Sequence, residues 1–278
     1  MRLRVMTLNV WNEEGDSDAR MRVINQGLRR LKPDLLGLQE VVRTGDRDQL
    51  GVLTEGLGLQ ATHQRDVAAV EPPHAAQYGG NAIATRWPHR IVEWLDLRQA
   101  GELDVPWRTL AARVAVPDLG DMLFIVTTTS WRPEAEAARE LQVMALTDLD
   151  ARHRTDLPTV IAGDFTAVPE AACIRYLTGA QALSGRSVSY HDAWALAGDG
   201  PGHTWTTANP SARTVIEQVV GQGAHHRRID YVFVGSRLTH PKAQCTIDTA
   251  ALAFDRPVDG IWASDHFGVV VDLDITIA

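Results

Sequence analysis

Eight short runs of hydrophobic residues are distributed along the chain, and most are nearly continuous rather than alternating with polar residues. A continuous apolar run is typical of a β-strand that is buried on both faces, as in a layered α/β protein. The pattern therefore predicts eight buried strands: Leu3–Val10, Leu35–Gln39, Ala82–Thr85, Leu110–Val116, Met122–Thr128, Thr159–Ala162, Ile229–Val234 and Phe267–Ile275.

Three segments between these runs have the spacing of amphipathic helices. Arg20–Leu31 has one apolar stripe and is followed by a proline, which cannot continue a helix. Glu134–Asp150 has a second stripe and comes directly after Pro133, a residue that is common at helix starts. Thr166–Leu177 is predicted to contain a third helix, entered through Pro169.

Three polar segments are predicted to be loops, namely Glu71–Gly80, Gly198–Gly202 and Ser211–His226. The sequence has no internal repeat and no low-complexity linker that would divide it. We therefore expect residues 1–278 to form one α/β domain.

The formal net charge of −8 and the pI of about 5.7 narrow the choice of ligand. A protein that binds bulk nucleic acid usually has a basic surface, because neutralising phosphates contributes much of the affinity. The basic runs here are as short as Arg227–Arg228. The charge favours a small substrate over nucleic acid, and it leaves room for a local basic cleft.

The two cysteines, Cys173 and Cys245, are far apart and outside any CxxC motif, so a disulfide framework is not expected. The first residues lack the apolar core of a signal peptide, and no stretch reaches the ~18 apolar residues that a membrane span needs. These features predict a cytoplasmic protein without a membrane span. They leave its oligomeric state open.

Polar residues stand at the ends of four predicted strands. Asn9, Glu40 and Asp164 close or follow apolar runs, and Asp265 and His266 precede the last run. Ligand sites of α/β proteins form at strand ends, so these side chains are expected to converge. The oxygen ligands of Asn9, Glu40 and Asp265 suit Mg²⁺ or Mn²⁺ better than zinc.

The remaining polar groups suit acid–base chemistry. Asp164 could take a proton from water, His266 could donate to a developing oxyanion, and Asp230 could fix the tautomer of that histidine. Taken singly, each residue also has a structural interpretation: Asn9 and Asp164 as turn or cap residues, Asp230 as a partner of Arg228, and His266 as a structural histidine. Their common strand context favours a joint catalytic site.

As a set, these residues resemble the motifs of the endonuclease/exonuclease/phosphatase superfamily, which includes DNase-type nucleases, neutral sphingomyelinases and inositol polyphosphate phosphatases. The resemblance implies a four-layer α/β sandwich, with two mixed β-sheets face to face and helices outside. It extends over nearly the whole chain through Leu8-Asn9, Gln39-Glu40, Gly80-Asn81-Ala82-Ile83, Gly163-Asp164-Phe165, Arg228-Ile229-Asp230-Tyr231 and Ser264-Asp265-His266.

The resemblance also implies roles for individual residues. Asn9 and Glu40 would serve the metal, with Asp265 joining them or lying close to it. Asp164 would orient the attacking water, and the Asp230–His266 pair would serve the phosphoryl group. Five further residues are expected at the rim of the cleft to bind substrate, with a purely structural role as the alternative: Tyr78, Asn81, Arg108, His203 and Trp205.

Two positions depart from the family pattern. Where the family usually reads GDFN, this chain has Thr166, which offers one hydroxyl donor in place of an amide and is retained as a catalytic candidate. Where the family usually has a strand-end histidine, Thr129 or Ser130 lies nearest. Losing one preorganised donor typically lowers a rate by about a hundred- to a thousand-fold. Loop histidines are alternative donors: His203, His225 and His226.

The sequence thus favours a hydrolase that uses Mg²⁺ or Mn²⁺ to cleave a phosphodiester or phosphomonoester in a small or lipid-like substrate. One alternative is a repurposed, non-hydrolytic biosynthetic enzyme that keeps the Asp/His acid–base groups. A second is a binding protein that keeps only the fold.

Overall fold

The computed structural model describes residues 1–68, 78–99, 107–221 and 224–277. Its helices are α1 (Ser17–Leu31), α2 (Gln49–Thr54), α3 (Glu136–His153), α4 (Ala172–Leu177), α5 (Ala193–Ala197) and α6 (Pro210–Val219). Its strands are β1 (Arg2–Asn9), β2 (Leu35–Val41), β3 (Gln60–His63), β4 (Gly80–Thr85), β5 (His89–Asp96), β6 (Arg108–Val116), β7 (Gly120–Thr128), β8 (Val160–Asp164), β9 (Tyr190–Asp192), β10 (Trp205–Thr206), β11 (His226–Arg227), β12 (Asp230–Gly235), β13 (Ala243–Ala253) and β14 (Gly268–Ile277).

Two mixed sheets of six strands each form the centre of the molecule. The first has the order β13-β14-β1-β2-β4-β3, and the second has the order β5-β6-β7-β8-β12-β9. Strands β1 and β2 are parallel, as are β7 and β8, while the other pairs within these two sheets are antiparallel. A separate two-stranded ribbon joins β10 to β11.

Alternate residues along a strand serve two different hydrophobic cores. In the first sheet, Val5 points into the core between the sheets, whereas Met6 points to the outer core under α1. In the second sheet, Phe124 faces the inner core and Ile125 faces the outer core under α3. Since both faces are covered, the strands need apolar residues at every position, and the layers run helix, sheet, sheet, helix.

Helix α1 shows how the sequence builds an outer layer. The Asp16 side chain accepts a backbone N–H of the first turn, which satisfies one of the free donors at the helix start. Ile24 and Leu28 are fully buried against the first sheet. A Cβ on Gly27 would lie 2.2 Å from the ring of Phe254, so only glycine allows this ring to lie on the helix.

The expected four-layer α/β sandwich is confirmed. The eight strands predicted from apolar runs correspond to β1, β2, β4, β6, β7, β8, β12 and β14. These are the interior strands of the two six-stranded sheets. The edge strands β3, β5, β9 and β13 were not predicted, because their exposed residues interrupt the apolar pattern.

The helix expected within 166–177 is present as α4, which begins at Ala172. Two predicted loop bounds were wrong. Within the expected loop 211–226, Pro210–Val219 forms α6, which was missed because only Ala212 and Ile216 are buried. Most of the expected loop Glu71–Gly80 lies outside the described residues, and Gly80 itself begins β4.

None of the described helices has both the length and the apolar character needed to cross a membrane.

Candidate active site

The polar residues predicted at strand ends meet at one end of the two sheets. Asn9 ends β1, and Glu40 lies near the end of the parallel strand β2. Asp164 ends β8, directly opposite Asp230 at the start of the antiparallel strand β12. His266 precedes β14, which runs antiparallel to β1 and therefore begins at the same end. The topology alone thus brings five distant segments together.

The amide of Asn9 connects the two sheets at this point. Its Nδ2 donates to Glu40 Oε1 at 3.0 Å and to Asp164 Oδ2 at 3.1 Å. Its Oδ1 accepts the Trp11 backbone N–H at 2.9 Å. Asn12 Nδ2 donates to the second oxygen of Glu40 at 2.9 Å. Asn9 therefore presents donors, not its oxygen, to the two carboxylates.

A β-bulge directs the Glu40 side chain into the site. Leu38 pairs with Ala82 and Val41 with Gly80, so β2 carries one residue more than β4 in this interval. Glu40 takes a left-handed conformation with φ of 57°. The bulge is enclosed by Gly79, where a Cβ would lie 2.4 Å from the Glu40 backbone.

Glu40 and Asp265 form a pair of repelling carboxyl groups. Desolvation, together with the nearby charge of Asp265, raises the pKa of Glu40 to about 7. Burial also raises the pKa of Asp265, against the favourable charges of His266 and Arg20. Two acids held together in this way favour a state in which a cation or a proton neutralises them.

Asp164, Asp230 and His266 form a second group, whose side-chain ligand atoms all lie within 4.8 Å of one another. His266 Nδ1 is 2.9 Å from Asp230 Oδ2, and His266 Nε2 is 3.9 Å from Asp164 Oδ2. Burial by itself would lower the pKa of His266, but the surrounding carboxylates raise it well above its usual value. Burial and the charge of Asp230 raise the pKa of Asp164 to about 6.

The loop that carries Asp265 and His266 is fixed by buried hydrogen bonds. Ser264 Oγ donates to the Asn9 carbonyl at 2.6 Å, which ties the loop to β1. Asn209 Nδ2 donates to the carbonyls of Ser264 and Asp265 at 2.9 and 3.0 Å. Asn209 also caps α6 through its Oδ1, so this helix, which sequence reasoning missed, positions the loop of Asp265 and His266.

The donor set around Glu40 fits a divalent cation. Glu40 and Asp265 offer hard oxygen ligands, and their raised pKa values reflect negative charge that is incompletely balanced by the described residues. The Asp164–Asp230–His266 group also has metal-ligand atoms at short spacing. There, however, His266 is held in an ion pair with Asp230, and its raised pKa favours the imidazolium, which cannot ligate a metal. The cation is therefore better matched to Glu40 and Asp265.

Thr129, one of the two residues nearest the family's strand-end histidine, lies beside Thr166, the other departure from the family pattern. Thr129 Oγ1 is 3.4 Å from Thr166 Oγ1. Thr129 Oγ1 lies 2.5 Å from the Phe165 carbonyl, and Thr166 Oγ1 lies 2.5 Å from the Ser130 carbonyl. Both hydroxyls donate to the backbone, so neither proton is directed at a ligand. The Thr166 N–H instead donates to Asp164 Oδ1 at 2.9 Å and orients that carboxylate.

Three of the five expected rim residues have described partners within the protein. Asn81 is fully buried, and its amide accepts from Thr128 Oγ1 at 2.7 Å and donates to the Arg108 carbonyl at 3.0 Å. Arg108 is also buried and pairs with Asp96 at 3.2 Å. Tyr78 is exposed, and its carbonyl accepts from the indole of Trp107. Asn81 thus joins β4 to the second sheet, and substrate contact by these residues stays a prediction.

Of the other two expected rim residues, Trp205 lies beside the acid–base group and His203 lies against His226. The Trp205 ring is 6.4 Å from the His266 ring, and a hydrogen bond from Trp205 helps hold the pKa of Asp265 down against the larger effect of burial. His203 stacks on His226 with ring centroids 5.4 Å apart. Their role in substrate binding also stays a prediction.

Sequence reasoning missed Arg20, which fixes the loop that follows β1. Its guanidinium donates to the carbonyls of Val10, Trp11 and Asn12 and also to Ala263, and its Nε donates to the Glu14 carbonyl. The sequence did contain a signal of this buried role: Arg20 lies four residues before Ile24, and therefore on the apolar stripe of α1. Asn12, which contacts Glu40, had no such signal.

Comparison with known proteins agrees with this geometry. The model of the endonuclease/exonuclease/phosphatase family matches residues 6–266. A search of curated protein sequences found no match to the chain. Several solved structures are similar. TDP2 of D. rerio, crystallised with a single-strand DNA product, has a TM-score of 0.74 and 18% identity, covering 98% of this chain and 99% of the other.

The catalytic domain of human Nocturnin, with bound sulfate, has a TM-score of 0.67 and 19% identity, and the match covers 99% of this chain and 95% of that one. An endonuclease/exonuclease/phosphatase protein from Bacteroides vulgatus has a TM-score of 0.67 and 16% identity, and the match covers 99% of this chain and 100% of the other. At these identities, the similarity establishes the fold. Because the family model covers nearly the whole sequence, the resemblance inferred from the motifs is confirmed, and the chain belongs to the endonuclease/exonuclease/phosphatase family.

Proposed function

We propose that this protein is a phosphoesterase that requires Mg²⁺ or Mn²⁺ and cleaves a phosphodiester or phosphomonoester bond. The observation that carries the proposal is the hydrogen-bonded connection of two groups with different chemistry. Asn9 donates to Glu40, one of the two carboxylates suited to a cation, at 3.0 Å. It also donates to Asp164, a member of the acid–base group, at 3.1 Å.

The acid–base group supplies the two proton transfers of hydrolysis. Asp164, with a pKa of about 6, is mostly ionised near neutral pH and accepts a proton from the attacking water. As the water oxygen bonds to phosphorus and the ester P–O bond breaks, the His266 imidazolium donates its Nε2 proton to a phosphoryl oxygen or to the leaving oxygen. Asp230 holds the ring through the 2.9 Å contact with Nδ1.

Glu40 and Asp265 would hold the cation, which supplies charge neutralisation at the phosphoryl group. Asn9 contributes by orienting Glu40 rather than by ligation, because its Oδ1 already accepts the Trp11 N–H. Thr166 contributes through its backbone N–H, which orients Asp164, since its hydroxyl donates to Ser130.

A small or lipid-like substrate agrees best with the charge of the chain. The net charge of −8 opposes a long polyanion at ordinary salt. TDP2, by contrast, is a structural neighbour that was crystallised with a DNA product. The two substrate classes are separated by comparing cleavage of a short single-stranded oligonucleotide with that of a small phosphodiester over a range of salt. Faster and strongly salt-dependent cleavage of the oligonucleotide would contradict the small-substrate proposal.

The activity is tested with bis(4-nitrophenyl) phosphate and added Mg²⁺ or Mn²⁺. The variants Asp164→Asn and His266→Gln are expected to lower kcat/KM by about a hundred- to ten-thousand-fold each, the range for a lost general base or acid. Exposed residues supply matched controls, Asp156→Asn and His191→Gln, which should keep the parent rate. Equal rates in the site variants and their controls would reject the proposal.

A repurposed, non-hydrolytic enzyme is the second candidate, favoured by the hydroxyls of Thr129 and Thr166. Both donate to backbone carbonyls, so the site lacks two side-chain donors toward a phosphoryl group. Turnover of a phosphate-free compound that persists with a chelator and needs Asp164 and His266 would support this candidate. Chelator-sensitive release of phosphate or of an alcohol from a phosphoester would reject it.

A further inference from the structure

A cavity of about 460 Å³ lies beside the acid–base group, on the side of the segment that follows Thr166. Its lining includes the segment Val168–Glu170, the ring of Trp194, and the side chains of His203, His226 and Arg227. The cavity and the acid–base group are separated by a single residue. The Thr166 N–H donates to Asp164 at 2.9 Å, while its carbonyl accepts from Arg227 Nη2 at 3.1 Å.

Arg227 brings a positive charge to this cavity that no described carboxylate within 4 Å neutralises. The guanidinium makes one hydrogen bond to a described residue, the contact with the Thr166 carbonyl, which uses one of its five N–H donors. The neighbouring Arg228 differs, since it pairs with Asp192 at 2.8 Å and lies over the Tyr231 ring. Arg227 is half-buried, and a charged hydrogen bond in such an environment is stronger than in open water.

Two imidazole rings line the same cavity as this guanidinium. His203 and His226 stack with an interplanar angle of 23°, and His226 Nδ1 contacts Thr206 Oγ1 at 2.5 Å, which fixes that ring. Their N–H groups add neutral donors to the charged ones of Arg227.

The wall at Trp194 is rigid. A Cβ on Gly202 would lie 2.2 Å from the Trp194 indole, and one on Gly198 would lie 2.6 Å from it, so the loop between them wraps the ring closely. The indole N–H also donates to the Gly200 carbonyl at 3.1 Å. The cavity therefore exists before a ligand arrives, which reduces the entropy cost of binding.

We propose that this cavity is a second anion-binding subsite, in which Arg227, His203 and His226 hold a phosphate group of the substrate other than the one that is cleaved. The favoured substrates are small molecules with two phosphate groups, one placed at the Asp164–His266 centre and one in the subsite. The assignment of the cleaved group depends on the proposed function, but binding of an anion in the cavity does not.

Binding is measured with inorganic phosphate on the full chain, without metal, by following the ring C–H resonances of the histidines in ¹H–¹³C spectra. The signals of His203 and His226 are expected to shift and saturate. The variant Arg227→Gln should weaken this binding at least about tenfold, as expected for a lost charged donor, and Arg227→Lys should weaken it less. Arg237→Gln removes the same charge from an exposed position and should leave the affinity unchanged.

Glu170 is the one carboxylate among the described residues that line the cavity. Removing its charge in Glu170→Gln should tighten phosphate binding by about two- to fivefold, because a like charge near the anion is lost. This variant is a gain-of-binding test that misfolding cannot imitate.

Phosphate that shifts only His266, or that binds Arg227→Gln as tightly as the parent protein, would overturn the subsite. These results are distinct from a failure of the proposed function. Phosphate binding at His203 and His226 without any phosphoester cleavage would reject the hydrolase and keep the subsite. Cleavage of a simple phosphodiester with no phosphate response at these histidines would reject the subsite and keep the hydrolase.

Discussion

Arg20 is the buried cation that holds the loop after β1, and its removal should disturb both stability and the site. Its side chain is 3% exposed and donates to five backbone carbonyls, four in the segment from Val10 to Glu14 and one at Ala263. The same segment carries Asn12, which donates to Glu40 at 2.9 Å. The variant Arg20→Ala leaves the carbonyls of this loop without their common partner.

The size of the stability loss in Arg20→Ala depends on which of the five carbonyls water can reach. Val10 and Ala263 are buried, and a buried carbonyl without a partner costs about 1–3 kcal/mol. Trp11, Asn12 and Glu14 are partly or fully exposed, so water replaces most of their hydrogen bonds at little cost. We expect Arg20→Ala to lower the free energy of unfolding by about 2–6 kcal/mol, the combined cost of the two buried carbonyls.

The free energy is measured by urea unfolding, and kcat/KM is measured on the folded fraction with bis(4-nitrophenyl) phosphate. Arg22→Ala is the matched control, because Arg22 lies on the exposed face of the same helix and the change in charge and helix propensity is the same. Arg20→Lys should retain part of the stability, since one ammonium cannot reach all of the carbonyls. If Arg20→Ala and Arg22→Ala unfold within about 1 kcal/mol of each other, the structural role assigned to Arg20 is wrong.

Three shorter predictions concern other parts of the chain. Gly163→Ala should destabilise by about 3 kcal/mol or more in urea unfolding, because the new Cβ would lie 2.1 Å from a backbone carbonyl of β7; a normal stability would contradict the close approach. Thr166→Asn should change the free energy of unfolding by about 1 kcal/mol or less, since relief of the left-handed backbone offsets the lost hydroxyl bonds. The same variant should raise the phosphodiesterase rate about tenfold or more, and an unchanged rate would contradict the inference that the site lacks a side-chain donor here. The hydrogen bond from Arg4 lowers the pKa of Asp272, so Asp272→Asn should cost about 2 kcal/mol at pH 7, and this difference should shrink below about pH 4 as the parent carboxyl protonates; a cost independent of pH would refute the ion pair.

The hydrophobic pattern predicts the interior of the fold and not its edges. A strand between two neighbours, with a core on each side, has little room for polar residues, and its sequence is a nearly continuous apolar run. Strand β13 at one edge has exposed Gln244, Thr246 and Asp248 between buried or half-buried residues. Further exposed residues interrupt this alternation, so β13 shows neither a continuous apolar run nor a regular alternation of apolar and polar residues. Strand pairing, rather than the sequence of β13 alone, determines its structure.

The candidate site was predictable to the extent that strand topology determines it. Asn9, Glu40, Asp164 and Asp230 lie at strand ends that a layered α/β fold brings together. Residues that act through loop and helix contacts gave no such signal. Asn209, for example, stands beside Pro210 in a segment that reads as a polar loop, yet its amide holds the carbonyls on both sides of the Ser264–Asp265 peptide.

The two departures from the family pattern affect the same corner of the site. Thr129 and Thr166 come from different strand ends, but their hydroxyls are 3.4 Å apart and both donate to the backbone between residues 130 and 165. Because both family donors are missing from this one corner, restoring one donor alone is expected to recover only part of the rate. Arg227 contacts the Thr166 carbonyl from the other side at 3.1 Å. Arg227 therefore places its positive charge in the cavity that adjoins this corner, which is where the proposed subsite would select a second phosphate.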